Sequence, residues 1–256
     1  MENLKIILVG ATGQMGKTIS NLVDTIENIE IVYGVADENG RDLKFPVSED
    51  FPTEKIANVL VDFSTPKLLK NILNYGISTN TPLVLATTGY SLEDLEKIEE
   101  ASTVIPILQT GNMSVGVNVM EMVVETLSRI LEGYDIEIVE KHHKYKVDSP
   151  SGTAKMLFEA ANRGRENKLN SLEGRAGFFE ERPDTEVGIS SIRGGNIVGE
   201  HNVIFAGVDE IIEIKHIANS KAIFASGAIR GAKFLANKNP GLYTMDDVLE
   251  ISNEQN

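Results

Sequence analysis

Fifteen residues, Glu140 to Ala154 (EKHHKYKVDSPSGTA), gather two adjacent histidines and three lysines ahead of a small-residue turn, in a chain whose formal charge is −14. Histidine is the side chain most readily tuned to give or take a proton near neutral pH, and Lys141, Lys144 and Lys146 add positive charge beside His142 and His143. Pro150-Ser151-Gly152-Thr153 then opens a helix whose N–H groups and hydroxyls suit a carboxylate. A cationic arm next to a helix N-terminus suits a dianion. A local reversal of sign in an acidic chain points to a site that binds an anion and moves a proton. The competing reading of the same spacing is a strand edge with solvated lysines, two structural histidines and a capped helix. A metal is not expected, because adjacent histidines on a strand point apart, no third ligand is spaced nearby, and cysteine is absent. His201 and His216, in a later strand-like stretch, read as structural.

A second chemistry-bearing stretch lies near the start. Leu4 to Val9 reads as an apolar strand, followed by Gly10-Ala11-Thr12-Gly13-Gln14-Met15-Gly16, a helix through about Glu27, and a second strand from Glu30 to Ala36. Glycines three apart permit a tight turn and close approach of backbone to a pyrophosphate, and the helix beginning near Gln14 offers it N–H groups and a positive dipole end. Such a turn can also be no more than a strand-to-helix connection. Asp37 stands 21 residues after Gly16, where an acid takes the ribose hydroxyls, and with it the unit reads as dinucleotide-binding. Glu38 adds a second carboxylate that would repel a 2′-phosphate, so the expected cofactor is NADH, with NADPH possible because Lys17 and Arg41 lie close enough in sequence to soften the preference.

These residues need a scaffold. Further strand-helix units run from Val59 to Phe63, ending in Ser64-Thr65-Pro66; from Leu83 to Ala86, ending in Thr87-Thr88-Gly89; and from Val104 to Leu108, ending in Thr110-Gly111-Asn112. In an open parallel sheet the ligand lies off the carboxyl ends of the strands, so these loops should line the nicotinamide half of a cofactor site, although helix capping accounts equally for Ser64 and Thr65. From Met113 the character changes: a helix Val115 to Leu131, a strand Asp135 to Glu140, a helix from about Ser151, and a Gly-, Asn- and charge-rich loop from Asn162 to Thr185. Val187 to Ala218 alternates apolar and polar residues, broken at Gly194-Gly195 and Gly207 to Glu210, and reads as an antiparallel meander. Helices at Ser226 to Leu235 and Asp246 to Ile251 should return to the first domain. The fold class expected is α/β: a Rossmann-type doubly wound parallel sheet domain (1–113 and 220–256), plus an α+β domain with a mostly antiparallel sheet (114–219).

Composition narrows the partners. A chain of 256 residues with 41% hydrophobic content builds a packed core. With 38 acidic against 24 basic residues and no sustained Lys/Arg stripe it is not expected to bind nucleic acid. No apolar run approaches the ~20 residues that span a bilayer, and MENLKIILVG runs straight into a strand without a cleavable signal pattern, so a cytoplasmic protein is expected, with no membrane partner.

The segment Glu140-x-His142-His143-x-x-Lys146-x-Asp148-x-Pro150-Ser151-Gly152-Thr153-Ala154 resembles the signature of the dihydrodipicolinate (4-hydroxy-tetrahydrodipicolinate) reductase family of bacterial lysine and diaminopimelate synthesis. The similarity extends through the glycine turn, Val61-Asp-Phe-Ser64, Thr87-Thr88-Gly89, Asn112 to Asn118 and Ile197-Val-Gly-Glu-His201. The resemblance implies hydride transfer from a reduced nicotinamide cofactor to a small cyclic dicarboxylate, with His142 and Lys146 as proton donors and His143, Gly152 and Thr153, with Ser151 opening their helix, as the carboxylate receptor. It places cofactor contacts on Gly10 to Met15, Asp37, Ala86 to Thr88 and Thr110 to Met113. It also implies a homotetramer assembled through the sheet of the second domain. Ala86 stands where the family commonly has glycine, Gln14 and Glu38 stand where relatives that use NADPH readily carry arginines, and Lys221 lies near the position of a frequent arginine. Another amino-acid dehydrogenase of Rossmann type, such as an aspartate or homoserine dehydrogenase, would share the first domain without needing the His-His-Lys cluster; a cofactor-binding regulator could dispense with His142 or Lys146.

Overall fold

The computed structural model describes residues 3–37, 40, 42–178 and 180–250. The chain divides into two compact units, Met1–Val115 with Lys221–Asn256, and Gly116–Ser220.

In the first unit, β1 (Leu4–Val9), α1 (Gln14–Val23), β2 (Ile29–Val35), β3 (Val47–Ser48), β4 (Val59–Asp62), α2 (Leu69–Thr79), β5 (Leu83–Leu85), α3 (Leu92–Ser102) and β6 (Pro106–Gln109) follow in order. The chain returns to this unit with α6 (Ala222–Leu235), β12 (Gly241–Tyr243) and α7 (Met245–Leu249). The strands form one sheet in the order β12-β6-β5-β4-β1-β2-β3, and every pairing is parallel. Successive residues of β1 divide between two cores, as side chains alternating across a strand must: Ile6 and Leu8 pack with α1, α6 and α7, Ile7 and Val9 with α2 and α3. Covered on both faces, the central strands are largely apolar runs, and each fully buried Ile or Leu contributes about 1.5–3 kcal/mol.

Several boundaries differ from expectation. α1 ends at Val23, short of Glu27, because the chain turns through Asp24 to Ile26 and reaches β2 by way of Asn28 at φ 63°. β6 begins at Pro106 and not at Val104, which is exposed in a turn. The two- and three-residue strands β3 and β12 are too short to show any periodicity.

The second unit holds α4 (Val115–Ile130), which starts at the boundary, then β7 (Asp135–His142), α5 (Gly152–Gly164), β8 (Asn170–Glu173), β9 (Glu186–Arg193), β10 (Gly199–Ala206) and β11 (Ile211–Ala218). The sheet order is β11-β10-β7-β9-β8. β10 is antiparallel to both β11 and β7, whereas β9 is parallel to both β7 and β8. The sheet is therefore mixed, and Val187 to Ala218 is not a simple antiparallel meander. Two returns of the chain are the reason: α5 carries it back before β8 and residues 174–185 carry it back again before β9, so β8 and β9 both run in the direction of β7. Alternation along β9 is the same for either direction and could not reveal this. The expected loop from Asn162 to Thr185 contains the end of α5 and the polar edge strand β8. One sheet face packs Ile136, Ile138, Val187, Ile189, Val203 and Phe205 against α4 and α5. Among the described residues no helix is long and apolar enough to cross a membrane.

Candidate active site

The glycine turn connects β1 to α1. Gly10 has φ 79° and donates its N–H to the Val35 carbonyl at 2.8 Å, and a Cβ there would lie 2.4 Å from the Phe63 carbonyl oxygen. A Cβ on Gly16 would come within 2.3 Å of the Gly10 oxygen and 2.5 Å of the Ala11 oxygen. Only glycine permits this path. Gly13 precedes α1 in extended conformation, no side chain caps the first turn, and no acid stands in it, which leaves the amide end suited to an anion. Ala11 is buried, Thr12 and Met15 are half-buried, and Gly13 and Gln14 are exposed. Gln14 Oε1 accepts a hydrogen bond from Lys221 Nζ at 2.6 Å, so a cation stands at the head of this helix. Asp37 is exposed just beyond β2; Glu38 and Arg41 lie outside the described residues.

The loops after β4, β5 and β6 lie at one edge of the same sheet. The Ser64 N–H donates to Asp62 Oδ1 at 3.0 Å and Thr87 Oγ1 at 2.9 Å, tying the first two loops together. Ala86 is half-buried, Thr87 buried and Thr88 exposed. Thr110 Oγ1 exchanges hydrogen bonds with the backbone of Asn112, each 3.2 Å, around an exposed Gly111. The Met113 side chain is buried in the core that carries α6, and its carbonyl lies directly under Gly227.

In the second unit the cluster is organised by Glu140, a carboxylate buried to 0% exposure at the end of β7. His142 Nδ1 lies 2.6 Å from Glu140 Oε2, and Arg193 grips both Glu140 oxygens at 2.8 and 2.7 Å. Arg193 also donates to the Asp148 carbonyl at 2.8 Å, and Lys146 Nζ holds the Asp148 carboxylate at 2.7 and 2.8 Å. The Ser151 N–H donates to Glu140 Oε1 at 3.2 Å, while Ser151 Oγ accepts from the Ala154 N–H to cap α5 and lies 3.0 Å from His201 Nε2. The His201 ring stands edge-on to His142, centroids 5.2 Å apart. His142, Lys146 and Ser151 thus belong to one hydrogen-bonded chain. His143 lies outside it, its ring 6.3 Å from Tyr145 and its Nδ1 without a hydrogen-bond partner among the described residues. Gly152 faces open space, and Thr153 is half-buried at the same helix start.

Burial opposes charge on Glu140, but hydrogen bonds from Arg193, Ser191 and His142 outweigh it and bring its pKa down to about 2. Burial also lowers His142, against the pull of Glu140, so its resting form is the neutral imidazole with Nδ1–H directed at the carboxylate. Burial is the main cause that pushes His201 down to about 4. The hydrogen bond from Lys146 lowers Asp148.

Reading by residue type missed three members of this cluster. Arg193 lies beside His142 in the β7–β9 register, and His201 lies opposite Glu140 in the β7–β10 register. Gly199 is the third: a Cβ there would sit 3.1 Å from His142 Nε2. Strand register brings these residues together, and it sets His201, read from the sequence as structural, against Ser151 and His142.

Comparison with known proteins identifies relatives over nearly the whole chain. Residues 4–113 match the family model described as dihydrodipicolinate reductase, N-terminus, and residues 116–249 match dihydrodipicolinate reductase, C-terminus. A curated relative from Clostridium novyi (strain NT), 4-hydroxy-tetrahydrodipicolinate reductase, is 46% identical over 97% of this chain and 99% of its own length. One of the same name from Caldanaerobacter subterraneus subsp. tengcongensis is 45% identical over 96% and 98%. Among solved structures, the dipicolinate-bound dihydrodipicolinate reductase from Paenisporosarcina sp. TG-14 shares the fold, with a TM-score of 0.78 at 20% identity over 94% of this chain and 97% of that one. Matched in both halves and aligned nearly end to end with such relatives, the chain belongs to the dihydrodipicolinate reductase family, whose members are NAD(P)H-dependent oxidoreductases.

Proposed function

We propose that this chain carries out the reaction of its family, reduction of the cyclic dicarboxylate 4-hydroxy-tetrahydrodipicolinate in lysine and diaminopimelate biosynthesis, with NADH preferred and His142 and Lys146 managing the proton. The bound dihydronicotinamide supplies a hydride to the substrate ring, and with one proton added and one water lost the product is tetrahydrodipicolinate. The observation that carries the residue roles is the chain His142–Glu140–Arg193–Asp148–Lys146. Glu140 fixes His142 by Nδ1, which leaves Nε2 as the atom that exchanges a proton, beside the space that Gly199 keeps open. A substrate dianion brings negative charge to a neutral imidazole and raises its affinity for that proton, while Lys146 offers a second cation. Gly152 and Thr153, with His143 and the Ser151-capped start of α5, serve as the carboxylate receptor.

The NADH preference rests on Asp37 at the end of β2 followed in sequence by Glu38, since two carboxylates repel a 2′-phosphate; Lys221 at Gln14 moderates it. Apolar side chains exposed on β9 and β11, Ile192, Ile211 and Ile217, support assembly through this sheet into a homotetramer, which light scattering would measure.

The test is oxidation of NADH and NADPH with substrate generated in situ from pyruvate and aspartate semialdehyde by the preceding synthase. Synthase-dependent oxidation faster with NADH is expected, with the preference narrowed in Glu38→Arg. Oxidation equally fast with both cofactors would refute the preference. Wild-type turnover in both His142→Gln and Lys146→Ala would refute the proton roles.

A further inference from the structure

The proposed mechanism gives His201 no part, yet burying an imidazole carries a cost. β10 turns Gly199, His201, Val203 and Phe205 toward the helices, so the position would ordinarily take an apolar side chain like the two that follow it. His201 is 4% exposed. Its Nε2 lies 3.0 Å from Ser151 Oγ, and its Nδ1 is buried with no hydrogen-bond partner among the described residues. Burial holds the ring well below its usual pKa, so near neutral pH it carries one ring proton and not two.

That single proton has two places to stand. On Nδ1 it would be a buried N–H with no acceptor, the rarest kind of unpaired backbone or side-chain group in a folded protein. On Nε2 it points at Ser151 Oγ and leaves Nδ1 only an unused lone pair. His201 is therefore the donor to Ser151. The Ser151 oxygen also accepts from the Ala154 N–H at 3.2 Å, so both of its lone pairs are filled and the hydroxyl hydrogen is left over. No described residue accepts that hydrogen. The hydroxyl stands at the head of α5, beside Gly152, which faces open space. Carboxylate oxygens only accept, whereas a carboxamide also presents N–H groups that a donor-only hydroxyl cannot receive.

We propose that His201 is a positioning residue for substrate recognition: by donating to Ser151 it makes that hydroxyl a donor alone, directed to a substrate carboxylate at the head of α5. The inference rests on the reading of this helix start as the carboxylate receptor, and it assigns the selection of a carboxylate to a side chain that stands behind the receptor. Because His201 acts through Ser151, its effect on substrate binding exists only while the Ser151 hydroxyl is present. A role confined to packing in the sheet has no such dependence.

Steady-state kinetics of the whole protein tests this, with KM for substrate and for NADH measured separately. His201→Leu removes the donor, roughly keeps the volume and, because the imidazole is neutral at pH 7, changes no charge. Substrate KM should rise on the order of three- to tenfold, the range for the net worth of one hydrogen bond, with kcat changed less and NADH KM within about twofold. His201→Gln, whose Nε2 reaches the same point, should recover most of the loss. His201→Asn is one methylene shorter and should not, and it takes the place of leucine if His201→Leu fails to fold. In a Ser151→Ala background, removing the donor at position 201 should add nothing further to substrate KM. A wild-type substrate KM in His201→Leu and His201→Asn, or the same rise in KM with and without the Ser151 hydroxyl, would overturn the proposal. A wild-type substrate KM in Ser151→Ala alone would instead remove the receptor reading beneath it.

Discussion

Glu140→Gln tests the buried ion pair and the histidine it positions in one variant. The Glu140 carboxylate is fully buried, and its pKa drops from 4.5 to about 2 in the folded protein. That gap is worth about 3 kcal/mol at roughly 1.4 kcal/mol per pH unit. Because the folded value is depressed, this stabilisation is complete above about pH 4.5 and is lost as pH falls through about 2. Glutamine does not titrate, and with one oxygen it cannot accept all the bonds that His142, Arg193 and Ser151 make to the two carboxylate oxygens; removing one partner of a buried pair costs about 3–5 kcal/mol. Urea unfolding at pH 7 should therefore show a loss of about 3 kcal/mol, and the variant should lack this group's share of the wild-type loss between pH 4.5 and 2. His142 loses the charged acceptor that orients Nδ1, so kcat should fall about 10²- to 10³-fold while NADH affinity stays within about twofold. Wild-type acid unfolding together with wild-type kcat would refute both the ion-pair energetics and the positioning of His142.

Gly199→Ala places a methyl 3.1 Å from His142 Nε2 and should lower kcat several-fold with NADH binding intact, as steady-state kinetics and calorimetry would show. Gly16→Ala drives a Cβ to 2.3 Å from the Gly10 carbonyl, which is backbone and cannot swing away; NADH affinity should fall more than about tenfold, and stability by about 1–3 kcal/mol on thermal unfolding. Ser151→Ala removes the cap of α5 and the partner of His201, and should cost about 1 kcal/mol in denaturant unfolding and raise substrate KM more than NADH KM.

What was legible in the sequence is what repeats along it. The apolar run of β1, the glycines at 10, 13 and 16, and the amphipathic helices announce themselves within a few residues, and the doubly wound sheet follows from their alternation. The direction of β9 was hidden, because a strand has the same period whichever way its neighbour runs. β8 was hidden because Asn-Ser-Leu-Glu is polar, as an edge strand's residues can be. At the candidate site, residue type singled out His142, His143 and Lys146, the side chains proposed to meet a ligand, and did not reach Arg193, which the fold sets against Glu140 and Asp148. Arg193 is 51 residues from His142 in sequence and its direct neighbour in register. Such supports are placed by pairing between strands, and pairing is a property of the folded sheet.

The cluster also corrects the idea of a bare cationic arm. Lys141 pairs with Glu200 at 3.3 Å, Lys146 with Asp148, and Arg193 with Glu140, while the Lys144 ammonium lies 5.0 Å from the centre of the Tyr145 ring. A dianion arriving here meets cations already engaged, and burial decides which of them respond. The Arg193–Glu140 pair is forked and its carboxylate is inaccessible, so separating it would strand a charge; it stays, and holds His142. The Lys146–Asp148 pair is different, because the Asp148 side chain is 56% exposed and water competes for its carboxylate, so the pair is worth about 1 kcal/mol. In the proposed mechanism Lys146 can turn from Asp148 to the substrate at little cost, and the Asp148 carboxylate released is solvated where it stands. Ion pairs of one sequence segment thus divide into a fixed frame and an exchangeable contact, and the second is the kind a binding site needs, since its cation is held in place when empty and yields when the ligand arrives.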